Sequence, residues 1–88
     1  MENTNLKRSL LKLIQASLPI AVDALDYRLF VAPKYKKLES KYGTETVKAM
    51  LYSLKKEKYL ATGTKMNAIK GPIPFYHSLS QKGIDFLN

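Results

Sequence analysis

The segment from Thr44 to Glu57 has the clearest helical pattern in this chain, and it begins directly after a glycine. Its apolar residues recur at i, i+3, i+4 and i+7, which predicts a helix buried along one face: Val47, Met50, Leu51 and Leu54. The preceding segment, Lys34 to Tyr42, has the same period and follows Pro33, a residue suited to a first helical turn. Gly43 favours the left-handed backbone that ends a helix. We therefore expect two helices joined by a tight turn, with Thr44 capping the second.

Beyond this helix the pattern changes to that of strands. Residues 59–65 are rich in β-forming and small residues, and the alternation of Phe75, His77 and Leu79 predicts that these three side chains share one buried face. Residues 66–74 lie between them and contain Gly71 and two prolines. This composition predicts a β-hairpin with a long, stiffened tip.

Short helical segments flank these elements. The pattern of residues 6–14 predicts a first helix that is capped by Asn3, Thr4 or Asn5 and ends before Pro19. Its buried face would consist of Leu6, Leu10, Leu13 and Ile14. Residues 20–22 either form one strand or lead into a short helix over residues 23–30. We expect a last helix over residues 81–87, capped by Ser80, with Ile84 and Leu87 in the core. The 88 residues fit one domain, residues 1–88, of the α+β class and mostly helical.

The net charge of +8 is concentrated in one part of the chain. Between Lys34 and Lys82 there are eleven lysines and three glutamates, so this segment carries the whole excess. A surplus confined in this way indicates binding to a polyanion, although solvated lysines are the alternative interpretation. Thirteen lysines against two arginines favour contact with phosphates over reading of bases, because lysine lacks the planar fork of arginine.

The order of these elements resembles the prokaryotic winged-helix family of DNA-binding domains, in which a helix-turn-helix precedes a β-hairpin wing and a short C-terminal helix. Three stretches carry the resemblance: residues 37–47, residues 54–60 and residues 76–87. The last contains Leu79-Ser-Gln-Lys-Gly83, which is similar to the family's frequent Leu-Ser/Thr-x-Lys-Gly closure. Residues 19–33 are longer than the usual lead-in of the family.

The resemblance implies that residues 44–57 form the recognition helix and residues 65–74 a basic wing. Lysines would contact phosphates or guanine edges, while hydroxyl groups would reach bases or phosphate oxygens. Glu45 would accept a hydrogen bond from a cytosine amino group or repel the phosphate backbone, and the alternative is that it completes the cap at the start of the helix. The predicted nucleic-acid-binding residues are Lys34, Lys36, Lys37, Thr44, Thr46, Lys48, Tyr52, Ser53, Lys56, Lys65 and Lys70.

Two sets of apolar residues remain to be placed. Met66, Ile69 and Ile73 lie near the hairpin tip, and we expect at least one isoleucine to pack on protein rather than enter a groove of DNA. Among six tyrosines, Tyr27, Tyr52 and Tyr76 are available either for packing or for stacking on unpaired bases.

The residue types argue against several classes of function. Cysteine is absent, and the single histidine, His77, is expected in the core or at its boundary rather than as a catalytic base or metal ligand. Asp23 and Asp26 have no histidine or further carboxylate nearby in the sequence, so we expect no metal site. The sequence has no glycine-rich phosphate loop, activated serine or carboxylate pair, so we expect no cofactor and no enzyme activity. The N-terminal apolar run is interrupted by Lys12 and Gln15, so neither a signal peptide nor a membrane span is expected, and the default location is cytoplasmic.

The leading hypothesis is a duplex-DNA-binding transcriptional regulator that acts as a homodimer, since helix-turn-helix modules gain affinity by pairing two half-sites. Two alternatives stay open. One is an accessory factor in replication or partition that binds double or single strands, and the other is an adaptor that binds an acidic protein surface. No small-molecule ligand is evident from the residues.

Overall fold

Five α-helices and a three-stranded antiparallel sheet make up residues 3–88, the part of the chain that the computed structural model describes. The helices are α1 (Thr4–Ser17), α2 (Leu25–Phe30), α3 (Pro33–Tyr42), α4 (Thr44–Lys56) and α5 (Gln81–Leu87). The strands are β1 (Ile20–Ala21), β2 (Leu60–Asn67) and β3 (Gly71–Leu79), and a 3-10 turn at Val22–Ala24 precedes α2. The architecture is α+β and mostly helical, as the sequence predicts.

Helix α1 lies at the centre of the helical layer and packs against α2, α3, α4 and α5. It begins at Asn3, whose side-chain oxygen accepts a hydrogen bond from the Leu6 amide at 3.0 Å. Leu6, Leu10 and Ile14 are fully buried as predicted. Leu11 takes the fourth core position that the sequence pattern assigned to Leu13, which is half-buried at the edge of the core.

The turn between α3 and α4 depends on Gly43, whose φ of 93° favours glycine. Its amide donates to the Glu39 carbonyl at 2.8 Å, and its carbonyl accepts from the Val47 amide at 3.1 Å. One residue therefore ends α3 and starts α4. The prediction that Thr44 caps α4 is wrong, because Gly43 occupies the capping position and Thr44 is already the first helical residue.

The sheet has the strand order β1-β3-β2, with Ile20 opposite Tyr76 and Leu60 opposite Leu79. The register shifts once: Ala61 pairs with Ser78, but Thr62 pairs with Tyr76. His77 is the extra residue of this β-bulge and is exposed, so its predicted place in the core is wrong. The bulge also turns Tyr76 inward, where it is buried rather than available for stacking.

The hairpin between β2 and β3 has a short tip, not the long one predicted. Only residues 68–70 separate the strands, because the Asn67 side-chain oxygen accepts from the amides of Ile69 and Lys70, each at 2.9 Å. Gly71 follows with a φ of 79°. Pro72 and Pro74 fit within β3, since β1 pairs only with Phe75 and Tyr76 and leaves that edge open beside them.

The closure motif at residues 79–83 attaches α5 to the turn that follows α4. The Ser80 hydroxyl donates to the Lys58 carbonyl at 2.7 Å and accepts from the Gly83 amide at 3.3 Å. Gly83 is buried where a β-carbon would lie 2.6 Å from the Tyr59 carbonyl oxygen, so only glycine fits there. Leu87 packs at the core edge, but Ile84 is 38% exposed, which corrects its predicted place in the core.

Tyr35 is fully buried in α3, and its hydroxyl has no hydrogen-bond partner among the described residues. We expect Tyr35→Phe to leave stability at neutral pH unchanged or to raise it by about 1 kcal/mol, because the buried hydroxyl is desolvated without compensation. Urea unfolding of both proteins measures the difference. A loss of more than about 1 kcal/mol in the variant would show that the hydroxyl is hydrogen-bonded in solution.

The same variant has a signature at alkaline pH. Burial, assisted by the carboxylates of Glu39 and Asp26, raises the pKa of Tyr35 to about 12. In the unfolded chain a tyrosine ionises near pH 10, so the native state holds this proton more tightly. Its contribution is therefore complete below about pH 10 and is lost as the pH rises towards 12. Tyr35→Phe should lose less stability than the parent across this range.

Two further features bear on function. Among the helices within residues 3–88, none combines the length and apolar character needed to cross a membrane. Over the same residues, the side chains form no group of three or more His, Asp or Glu suited to holding a metal ion.

Candidate nucleic-acid interface

The outer face of α4 presents a regular stripe of exposed side chains. Lys48, Tyr52 and Lys56 recur at i, i+4 and i+8, so they stand one above the other on the helix surface. The Lys56 ammonium lies 5.9 Å from the centre of the Tyr52 ring, and Tyr52 is 63% exposed. Thr44 and Thr46 are exposed at the first turn of the same helix. The inner face buries Val47, Leu51 and Leu54, as predicted, while Met50 is half-buried.

Ser53 is placed differently from the other predicted residues of α4. It is half-buried, and its hydroxyl donates a hydrogen bond to the Glu57 carboxylate one turn later. This bond, assisted by the nearby Lys82, Lys7 and Lys56, holds the pKa of Glu57 below its ordinary value. The hydroxyl is thus already hydrogen-bonded at the end of the helix, and Ser53 is less accessible to a ligand than the exposed Lys48 and Lys56.

The predicted lysines of α3 separate into two groups. Lys36 and Lys37 line a shallow surface depression together with Ser40 and Lys41. Lys34 instead lies at a cleft between α1 and α3, beside Lys12 and the apolar Leu13 and Leu38. Sequence reasoning missed Lys41 as a site residue, although its i+4 spacing from Lys37 places both on one side of the helix.

The hairpin carries Lys65 on β2 and Lys70 at the tip, both exposed. The Lys65 ammonium lies 5.1 Å from the centre of the Phe75 ring, which anchors it over the sheet. Ile69 is 94% exposed and Met66 is 75% exposed, so neither packs against the rest of the domain, and contact of an isoleucine with a partner chain stays a prediction. Ile73 is half-buried. Asn67 closes the tip into a tight turn by accepting hydrogen bonds from the amides of Ile69 and Lys70.

Two other lysines have contacts within the fold. The Lys55 ammonium is 2.9 Å from a carboxylate oxygen of Asp26, which links α4 to α2. Lys7 is buried, with its ammonium 4.4 Å from the ring centre of Tyr59 and 4.9 Å from that of Phe86. Both cations therefore contribute to packing, and a charge count alone does not distinguish them from the exposed lysines.

Helix α2 borders the α4 stripe and adds exposed apolar residues that the predicted site lacks. Tyr27 is 74% exposed, and Phe30 and Val31 are exposed at the next turn. The Lys48 ammonium lies 5.9 Å from the centre of the Phe30 ring. The i, i+3, i+4 spacing of these three residues is the signal that could have identified them, but that spacing ordinarily indicates a buried face.

The exposed cations on α3, α4 and the hairpin can bind phosphate groups, and the hydroxyl groups of Thr44, Thr46 and Tyr52 can donate to phosphate oxygens or base edges. Neither a family model, nor a curated protein, nor a solved structure matches the chain.

Proposed function

We propose that this chain is a winged-helix protein that binds duplex DNA and acts as a transcriptional regulator. The observation that carries the proposal is the exposed stripe of Lys48, Tyr52 and Lys56 on α4, the helix that follows the tight turn at Gly43. A major groove of duplex DNA admits one α-helix, and a helix entering it needs an outer face free of packing. The order of α3, turn, α4 and hairpin agrees with a helix-turn-helix followed by a wing.

In this proposal α4 lies in the major groove and its lysines neutralise phosphates on both sides. Lys48 and Lys56 are two turns apart on one face, so they reach different positions along the groove. Thr44 and Thr46 lie at the start of α4, where recognition helices contact base edges. Lys36, Lys37 and Lys41 on α3 supply additional phosphate contacts.

The hairpin is proposed to contact the backbone beside the major groove. Lys65 and Lys70 bring positive charge to β2 and the tip, and no acidic residue occurs between Lys58 and Ile84. The close hydrogen bonding of Asn67 to the tip amides makes the hairpin a preformed contact element rather than a loop that orders on binding.

A homodimer is part of the proposal, because a chain of 10.0 kDa offers a small footprint for specific DNA recognition. We place the dimer contact on α1 and α5. The exposed lysines assigned to DNA lie on α3, α4 and the hairpin, so a contact through α1 and α5 leaves them accessible to DNA.

The test is a titration of the purified chain with three probes at one salt concentration: duplex from the upstream region of its own gene, random duplex of equal length, and random single strands. We expect the upstream duplex to bind about 1,000-fold more tightly than random duplex, with two chains per site. Equal affinity for both duplexes would contradict a regulatory role. Binding to none of the probes would contradict nucleic-acid binding and favour the adaptor for an acidic protein.

A further inference from the structure

Helices α2 and α4 are linked by two side-chain contacts, and both expose aromatic rings near these contacts. The Lys55 ammonium is 2.9 Å from Asp26, and the Lys48 ammonium is 5.9 Å from the ring centre of Phe30. Tyr52 lies between Lys48 and Lys55 on α4, one turn from each, so it belongs to the face that borders α2. We call the exposed residues of this border the aromatic strip: Tyr27, Phe30, Val31 and Tyr52.

One ring of the aromatic strip, Phe30, is held in place by packing although it is partly exposed. Phe30 packs against the buried ring of Tyr35, with ring centres 5.4 Å apart and planes inclined by 59°. The Asp26–Lys55 ion pair links the helices on either side of the strip. Tyr27 and Tyr52 are 74% and 63% exposed, so their rings are accessible to a ligand. Accessible rings on neighbouring helices are suited to stacking on bases.

Cations lie beside two rings of the strip. The Lys48 ammonium lies over Phe30 and the Lys56 ammonium lies over Tyr52, each 5.9 Å from the ring centre. Arg28 is exposed next to Tyr27. Rings interleaved with cations are the pattern by which proteins bind single strands, because bases stack on the rings while phosphates contact the cations. Bases inside a duplex are already stacked on each other and leave their faces inaccessible to such rings.

We propose that the aromatic strip is a binding site for unpaired bases of a nucleic-acid strand, adjacent to the duplex contact made by α4. This inference rests on the proposed function, since it uses the same lysines for the phosphates. It adds a substrate class: DNA that is locally single-stranded or opened. The positive charge around the rings favours a polyanion over an apolar protein surface as the occupant.

Tyr27 gives the sharpest test, since it is the most exposed ring of the strip and lies outside the residues assigned to the duplex contact. We compare the parent chain, Tyr27→Ala and Tyr27→Phe, the last of which keeps the ring. Two probes are titrated: a duplex, and a single strand of about 12 nucleotides that carries one fluorescent base analogue. Sedimentation of each protein without DNA records its association state.

We expect Tyr27→Ala to weaken single-strand binding about tenfold and to reduce the quenching of the analogue, while Tyr27→Phe retains both. Duplex affinity should change less than about twofold in either variant. Unchanged single-strand binding and quenching in Tyr27→Ala, with duplex binding intact, would overturn the inference and leave the proposed function standing. A change in association state in place of a change in binding would overturn it in favour of a contact between copies. Absence of binding to both probes in the parent would overturn both proposals.

Discussion

Lys48→Glu together with Lys56→Glu is expected to reduce affinity for duplex DNA about 100-fold or more, because two phosphate contacts become two repulsions. Both lysines are exposed on the outer face of α4, opposite Val47, Leu51 and Leu54. Their replacement removes no core contact, so the free energy of unfolding should stay within about 0.5 kcal/mol of the parent value. Fluorescence anisotropy with a labelled duplex measures the affinity, and urea unfolding measures the stability.

Lys12→Glu is the matched control for the single change Lys48→Glu. Both positions are exposed on helices, and both reversals alter the net charge by the same amount. If attraction between net charges alone drove binding, the two variants would lose the same affinity. Because Lys12 lies on α1, where the dimer contact is placed, sedimentation first establishes that Lys12→Glu associates as the parent chain does. With association unchanged, the proposal predicts a much smaller loss of affinity for Lys12→Glu, and equal losses would show that the interface has been placed on the wrong face. Lys7 cannot serve as this control because it is buried against Tyr59 and Phe86.

Leu51→Ala is expected to cost about 2–5 kcal/mol of stability, the range for deleting a buried leucine side chain. Leu51 is 3% exposed and lies at the middle of the inner face of α4. A chain of this size has a total stability on the order of 5–10 kcal/mol, so the variant should lose a large part of it. Thermal unfolding followed by circular dichroism should show a midpoint lower by about 10 °C or more.

Tyr52→Ala, at the next position, should behave in the opposite way. The side chain is largely exposed, so the unfolding midpoint should be nearly unchanged, while DNA affinity falls because a ring beside Lys56 is lost. The pair of variants thus separates the inner and outer faces of α4 by stability and by binding. If Tyr52→Ala were as destabilising as Leu51→Ala, the outer face of α4 would be a packed surface and the interface built on it would be wrong.

The bounds of α3 and α4 follow from local chemistry, which explains why the sequence predicts them well. Pro33 is the first helical residue of α3, and Gly43 takes the positive φ that ends it. The period of Val47, Leu51 and Leu54 is set by one helix alone, so no knowledge of its neighbours is needed to assign its inner face. The one error in this region, the capping role of Thr44, arose because a single glycine serves both helices.

The hairpin shows where local patterns are insufficient. The alternation of Phe75, His77 and Leu79 is regular in the sequence, yet the β-bulge at His77 exposes that residue and buries Tyr76. The bulge depends on how β2 pairs with β3, which is a long-range property. The tip is shorter than predicted for a local reason. The two prolines in residues 66–74 indicated a long tip, but Asn67 and Gly71 form a tight turn before them.

The sequence predicts which residues belong to the candidate site, but it does not predict which of them lie next to each other in the fold. The charge of each lysine is visible in the sequence, while its neighbours depend on helix packing. That packing places Lys34 beside Lys12 at the α1–α3 cleft and Lys55 beside Asp26. The hydrogen bond from Ser53 to Glu57 does not depend on helix packing, and the i, i+4 spacing of the two residues could have indicated it.

Binding of the parent chain to a duplex across a salt series is the most direct test of the claim that its basic surface binds nucleic acid. Each phosphate contact releases counterions, so the logarithm of affinity should fall linearly with the logarithm of salt concentration, with a slope of about 4 to 6 for one chain. The Lys48→Glu and Lys56→Glu double variant, where its binding can be measured, should have a slope smaller by about 2. A slope near zero for the parent, or affinity that does not depend on Lys48 and Lys56, would contradict binding of nucleic acid by this surface.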